Sequence, residues 1–142
     1  MKDLQYRLAG FDLMQFSPVY EKINEQNIIE GNYGFDFAYN KDSNTVRTTV
    51  NLNLTNGGES VLTVQFATFI EIKKESADSM IKDNTITFKK EHLAQFASFG
   101  YGALRGVMYL KTINTPIANV ILPPLELDNL FTNSLTIFFD EF

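Results

Sequence analysis

The stretch "TVNLNLTNGGESVLTVQF", Thr49 to Phe66, decides the fold. Val50, Leu52 and Leu54 alternate with Asn51, Asn53 and Thr55, the period of a strand that lays one face on a core. Asn56, Gly57 and Gly58 tolerate the positive φ of a tight hairpin turn. Beyond the turn, Leu62, Val64 and Phe66 resume the alternation, and Ile70 and Ile72 carry it on. Two antiparallel strands follow, Thr45–Thr55 and Val61–Ile72. The second is apolar on parts of both faces, through Val61, Ala67 and Phe69.

Working upstream, "NKDSN" is a turn, and Tyr33, Phe35, Phe37 and Tyr39 line one face of a further strand. Gln5 to Phe16 reads as a strand whose alternation slips at "AGF", where a glycine marks a bulge. Between them, Ser17 to Asn32 is a long connection that carries Val19, Tyr20, Ile23, Ile28 and Ile29, too apolar for an idle loop. The expectation is a four-stranded antiparallel sheet, a meander after the first connection.

Downstream, "KKESADSMIKDN" is a charged turn region with one short helical turn, and "TITFKK" a brief extended piece. From Glu91 to Ile113 the period becomes helical, with Leu93, Phe96, Ala97, Leu104, Val107 and Met108 on one face. Phe99, Ala103, Gly106 and Leu110 make a second apolar stripe, so the helix is expected between two layers. Gly100, Gly102 and Gly106 each cost a helix interior about 1 kcal/mol against Ala, tolerable where another backbone comes close, which favours a tight helix–helix or helix–sheet contact. A Pro-Pro connection follows, and then a short helix over Leu127 to Phe138. The fold class is α+β, a single domain over residues 1–142.

The composition excludes several functions. A net charge of −5 with scattered Lys and Arg repels a polyanion, which argues against nucleic acid. With no Cys there is neither a disulfide framework nor thiolate chemistry. The first residues lack the apolar region of a signal peptide, and no apolar run nears the ~18 residues of a membrane span. A cytoplasmic protein is the expectation. Thirteen Phe and six Tyr, without Trp, demand a large core, an apolar interface, or both. His92, the single histidine, reads as a surface or capping residue; it lacks the partners that acid–base or metal chemistry needs. Asp78 and Asp83 fall in the charged turn as solvated groups, and "GYG" lies inside the helix rather than after a strand. No catalytic residue, metal or cofactor is expected, and the chain is not read as an enzyme.

Arg105 in the middle of the long helix, "TINTP" ending at Pro116, "ILPP" at Ile121 to Pro124 and "LDNLF" at Leu127 to Phe131 follow one another as in the SecB family of protein-export chaperones, which the chain resembles over nearly its full length. The resemblance implies a four-stranded antiparallel sheet with two helices on one side. It also implies a homotetramer, a dimer of dimers joined through the long helices, with Phe99, Gly100, Ala103, Gly106 and Leu110 at the interface. The implied activity is holding unfolded polypeptides in apolar grooves without ATP. Phe16, Val19, Tyr20 and Ile23 of the first connection are then expected to face Leu127, Leu130 and Phe131 of the second helix across a peptide-binding groove. The family's export members dock on the motor SecA through acidic sheet residues. Asp12 is retained here, but Phe16 (or Gln15) and Thr63 are not acidic. The polar tail of those members is also missing after Phe142. Both differences tell against SecA as a partner but leave the client-holding role, with support of protein export, as the expectation. A dedicated chaperone for one partner, such as an antitoxin, is the alternative. Val120, Ile121 and Leu122 are expected to cover the core, while Pro123 and Pro124 fix where the second helix begins.

Overall fold

The hairpin forms as β3 (Thr45–Asn56) and β4 (Glu59–Ile72), turned through Gly57 and Gly58 at φ of 61° and 86°. This is a computed structural model, and it describes residues 4–118, 120 and 122–142. β2 (Ile29–Asn40) pairs antiparallel with β3, and β1 (Tyr6–Pro18) with β4, giving the order β1-β4-β3-β2. β1 departs from simple alternation twice, between Leu8 and Gly10 and between Leu13 and Gln15. The first irregularity falls at the predicted slip. Each one re-aims the strand, so Tyr6, Leu8, Phe11, Leu13 and Phe16 are all partnered with the β4 residues Ile72, Ile70, Thr68, Phe66 and Val64.

Those β4 residues and Val46, Val50, Leu52 and Leu54 of β3 form one buried face, on which α2 (Lys90–Thr112) lies. Of the face the helical period predicts, Leu93, Phe96, Ala97, Leu104 and Met108 are buried against the sheet and Val107 is half-buried. At the middle of the contact stands Gly100, which is itself buried. A Cβ there would lie 2.9 Å from Thr68 Oγ1 and 3.3 Å from Val50 Cγ2. The close backbone therefore belongs to the helix–sheet contact, and Gly100 is not open to another subunit, contrary to its expected place at an oligomer interface. Gly102 and Gly106 meet nothing within 4 Å of such a Cβ. Thr48 and Thr68 lie paired beneath the helix, their buried hydroxyls without a hydrogen-bond partner.

The charged region after β4 contains α1 (Lys74–Asp78), where Asp78 meets Lys41 at 3.6 Å instead of standing alone in solvent. β5 (Ile81–Lys82) and β6 (Thr85–Phe88) follow. The second helix is shorter than expected. α3 covers only Leu127–Leu130, and Leu135–Phe138 is a strand, β7, completing a second sheet in the order β5-β6-β7. Ile86 pairs with Ile137 and Phe88 with Leu135, while Thr87 and Thr136 join hydroxyls at 2.8 Å. This small sheet and Phe139 close the end of the core around Tyr39, Phe88 and Phe96.

Gly100→Ala should lower stability by about 1–3 kcal/mol, since the added methyl overpacks the helix–sheet contact. Gly102→Ala should instead raise it by roughly 0.5–1 kcal/mol through helix propensity. Urea denaturation of the two variants checks this; equal shifts would show that the helix does not lie at this depth.

Candidate functional site

Between α2 and α3 the chain returns beside the helix, and two side chains of α2 hold it there. The Tyr101 hydroxyl donates to the Pro123 carbonyl oxygen, and Arg105 Nε to that of Leu122 at 2.9 Å. Prolines have no N–H to offer, so this segment is held through its carbonyls by donors from outside it. Burial, with a further contribution from Tyr33, raises the Tyr101 pKa against the opposing effect of Arg105, so the hydroxyl stays a donor at neutral pH. Ile117 and Leu122 are buried and Val120 half-buried, which agrees with the covering role expected of the segment; Ile121 lies outside the described residues.

The held segment sets the position of α3 and Phe131. Phe131 is half-buried, its ring 5.9 Å from Phe35 and 5.7 Å from Phe37, both crossed edge to face. Tyr33, one step along β2, lies 5.9 Å from Tyr101. An aromatic row, Tyr33, Phe35 and Phe37, therefore runs along the outermost strand, with Tyr101 and Phe131 against it. Leu130 beside it is 51% exposed. Asn40 pairs with Thr45 at the hairpin to β3, and one residue before it the Tyr39 carbonyl accepts from Asp140 N–H at 2.8 Å on the side away from β3. By antiparallel alternation, the main-chain N–H and C=O of Gly31, Tyr33, Phe35 and Phe37 also point away from β3. Among the described residues, that outer edge receives one main-chain hydrogen bond, the one at Tyr39.

The predicted groove residues do not come together in the expected way. Leu127 is only 6% exposed and belongs to the core, so it is not a contact surface. Leu130 and Phe131 lie on the β2 side of α2. Phe16, on β1, lies at the other edge of the sheet, with Lys111 Nζ 5.3 Å from its ring centre near the end of α2. Val19 is tied to β4 by its N–H to Val61 O at 2.8 Å, and Tyr20 and Ile23 are half-buried against the same end of the core. The long helix stands between the two groups. The volume that does open beside α3, about 680 Å³, has Ala94, Leu125 and the predicted Leu127 in its lining, but Glu91, Gln95, Ser98, Glu126, Asp128 and Asn129 make it more polar than apolar. Sequence reasoning placed Tyr33, Phe35, Phe37 and Tyr39 on one face of a strand and gave them no binding role. The signal that marks them as more is four aromatics on one face of a strand that the topology leaves at an edge.

A second apolar surface lies on the β1 side of α2. Tyr6 packs on Phe96 and Phe99, which fixes that side of the helix. Phe99 and Ala103 are half-buried, Gly106 is exposed and Leu110 is 70% exposed along the same stripe. On β1, Phe11 stacks on Phe66 yet remains 50% exposed.

His92 is neither on the open surface nor a cap. It stacks on Phe96, its Nδ1 buried without a partner, and burial together with Lys89 lowers its pKa. Among the described residues no three His, Asp or Glu gather in a way that could hold a metal ion, and no helix is long and apolar enough to cross a membrane.

No family model matches the chain, and no curated protein does. Among solved structures, the chain is similar to the SecB-like chaperone Rv1957 of Mycobacterium tuberculosis in complex with a ChAD peptide from the Rv1956 HigA1 antitoxin. The TM-score is 0.53 at 17% identity, with 84% of this chain and 90% of that chain covered. The fold is SecB-like: an antiparallel four-stranded sheet with a long and a short helix.

Arg105→Met should free the segment before α3, at a cost of about 1.5–3 kcal/mol for a hydrogen bond from a charged donor. Hydrogen exchange should quicken in residues 117–131 while β3 and β4 keep their protection. Unchanged exchange there would mean that the arginine does not position α3.

Proposed function

We propose that this chain is an ATP-independent holdase that takes extended segments of unfolded polypeptides along the outer edge of β2. The observation that carries the reading is the row Tyr33, Phe35 and Phe37 on an outer strand, beside Phe131 and the exposed Leu130. A client strand would find main-chain groups on the edge and aromatic faces for alternate side chains, a mode that needs no sequence code. The fold's likeness to a chaperone that holds an antitoxin peptide supports this reading. The same likeness favours, as a second reading, service to one dedicated partner. Affinity capture from the source cell separates the two, by many clients or by one dominant protein.

Magnitudes bear on assembly. Three main-chain hydrogen bonds at about 1 kcal/mol and two apolar side chains at about 2 kcal/mol give roughly 7 kcal/mol gross. Ordering the client costs roughly 2–5 kcal/mol, which leaves single-groove affinity at about millimolar or weaker. A useful holdase therefore needs several grooves on one body, where effective concentration multiplies weak contacts. Phe99, Ala103, Gly106 and Leu110 on α2, with Leu8 and Phe11 of β1 beside them, are the surface for that self-association, to a homotetramer. Phe16, Val19, Tyr20 and Ile23 would add a smaller client contact at the far end of α2. Neither Gln15, Phe16 nor Thr63 offers the carboxylate that SecA docking uses in export members, so no export role is assigned. The protein is expected to act in the cytoplasm.

The wild-type protein should suppress aggregation of a chemically unfolded test enzyme without nucleotide, and Phe35→Asp should abolish this while circular dichroism stays native. No suppression by the wild type at several-fold excess would end the holdase reading. Leu110→Asp should reduce the assembly mass in light scattering; an unchanged mass would remove α2 from the interface.

A further inference from the structure

The last residues do something the client-holding reading does not require. Phe139 N–H donates to Asn84 O at 3.2 Å beside β6, and the next residue, Asp140, switches to the edge of β2 through Tyr39 O. The chain then passes around that edge to the opposite, largely polar face of the sheet. There the Phe142 ring lies 6.2 Å from Phe69, with the Arg47 guanidinium 4.7 Å from its centre. Asn40 Nδ2 donates to the Phe142 main-chain oxygen at 3.0 Å. Phe142 nevertheless stays 40% exposed, and Arg47 Nε is buried with no hydrogen-bond partner.

We propose that residues 140–142 form a releasable strap that closes the Tyr39 end of the β2 edge and competes with long clients for it. The inference rests on the edge of β2 being the client site. Its physical basis is a conflict over one acceptor: a client strand running the length of β2 needs the Tyr39 carbonyl, and Asp140 already holds it. Phe139 stays packed on Tyr39 as the anchor, and beyond it the strap is held only by the Asp140–Tyr39 main-chain hydrogen bond, a cation–π pair, a ring contact and one amide hydrogen bond, so it opens locally without unfolding the core. A short client pairing with Gly31 to Phe37 does not meet it; a longer one must displace it. The strap thereby sets the length of extended chain that binds unopposed.

The test uses the full-length chain, the variants Phe142→Ala and Arg47→Met, and two fluorescent peptides of alternating leucine and serine, six and twelve residues long. Both variants should speed hydrogen exchange at Asp140 and tighten the twelve-residue peptide by about three- to tenfold, the population penalty of the closed strap being removed. The six-residue peptide should bind all three proteins equally. If Asp140 exchange stays slow in both variants, or if it quickens without any gain for the longer peptide, the strap is overturned while the groove stands. If neither peptide binds any of the proteins, the groove itself fails and the strap falls with it.

Discussion

Everything in this molecule hangs on how closely α2 lies on the sheet at Gly100. The glycine brings helix backbone to Thr68 and Val50, nearer than any side chain permits. With the depth fixed, the helix's two flanks acquire different duties. One flank carries Tyr101 and Arg105, which grip the carbonyls of Leu122 and Pro123. The other carries Phe99, Ala103, Gly106 and Leu110, an apolar stripe that the chain itself leaves partly open. A single small residue in the middle of the helix thus separates a face that builds the groove from a face suited to another copy.

The large elements were legible in the sequence because each has one strong period. The β3–β4 hairpin has alternation and a glycine turn, α2 has a helical stripe, and the slip in β1 has its glycine. β7 was not legible. Leu127, Leu130, Phe131 and Leu135 are spaced as a helix face, and only pairing with Thr85–Phe88 selects alternation, with Leu135 and Ile137 inward. Local pattern cannot register a partner strand some fifty residues earlier, so a tertiary contact overrode it. The same blindness affected the site. The sequence showed the aromatic row of β2 as one face of a strand and no more, because alternation marks a face but not which strand ends the sheet. Gly100 was open to two readings for a related reason: a glycine asks for a close neighbour without naming it, and the structure selects the helix–sheet contact over the oligomer interface.

The proposed function follows from what an edge strand is. Its outward main-chain groups are a hazard that folded proteins usually blunt. Here the hazard is kept beside aromatic rings, and one end is closed by the chain's own last residues. An unfolded client offers the complement, unpaired main chain and exposed apolar side chains. No ATP is needed, because holding shifts the client's folding equilibrium by mass action. On the proposed function a single groove would bind weakly, which ties the open stripe on α2 to the client edge: without assembly the grooves would not retain a chain.

The most direct measurement is residue-resolved hydrogen exchange by NMR on the protein with and without an extended apolar peptide. Client pairing with the outer edge predicts added protection at the amides of Tyr33, Phe35 and Phe37, with the intervening even-numbered amides unchanged because β3 already holds them. Protection confined to the polar face of the sheet or to the end of α2 near Phe16, with β2 unaffected, would contradict it.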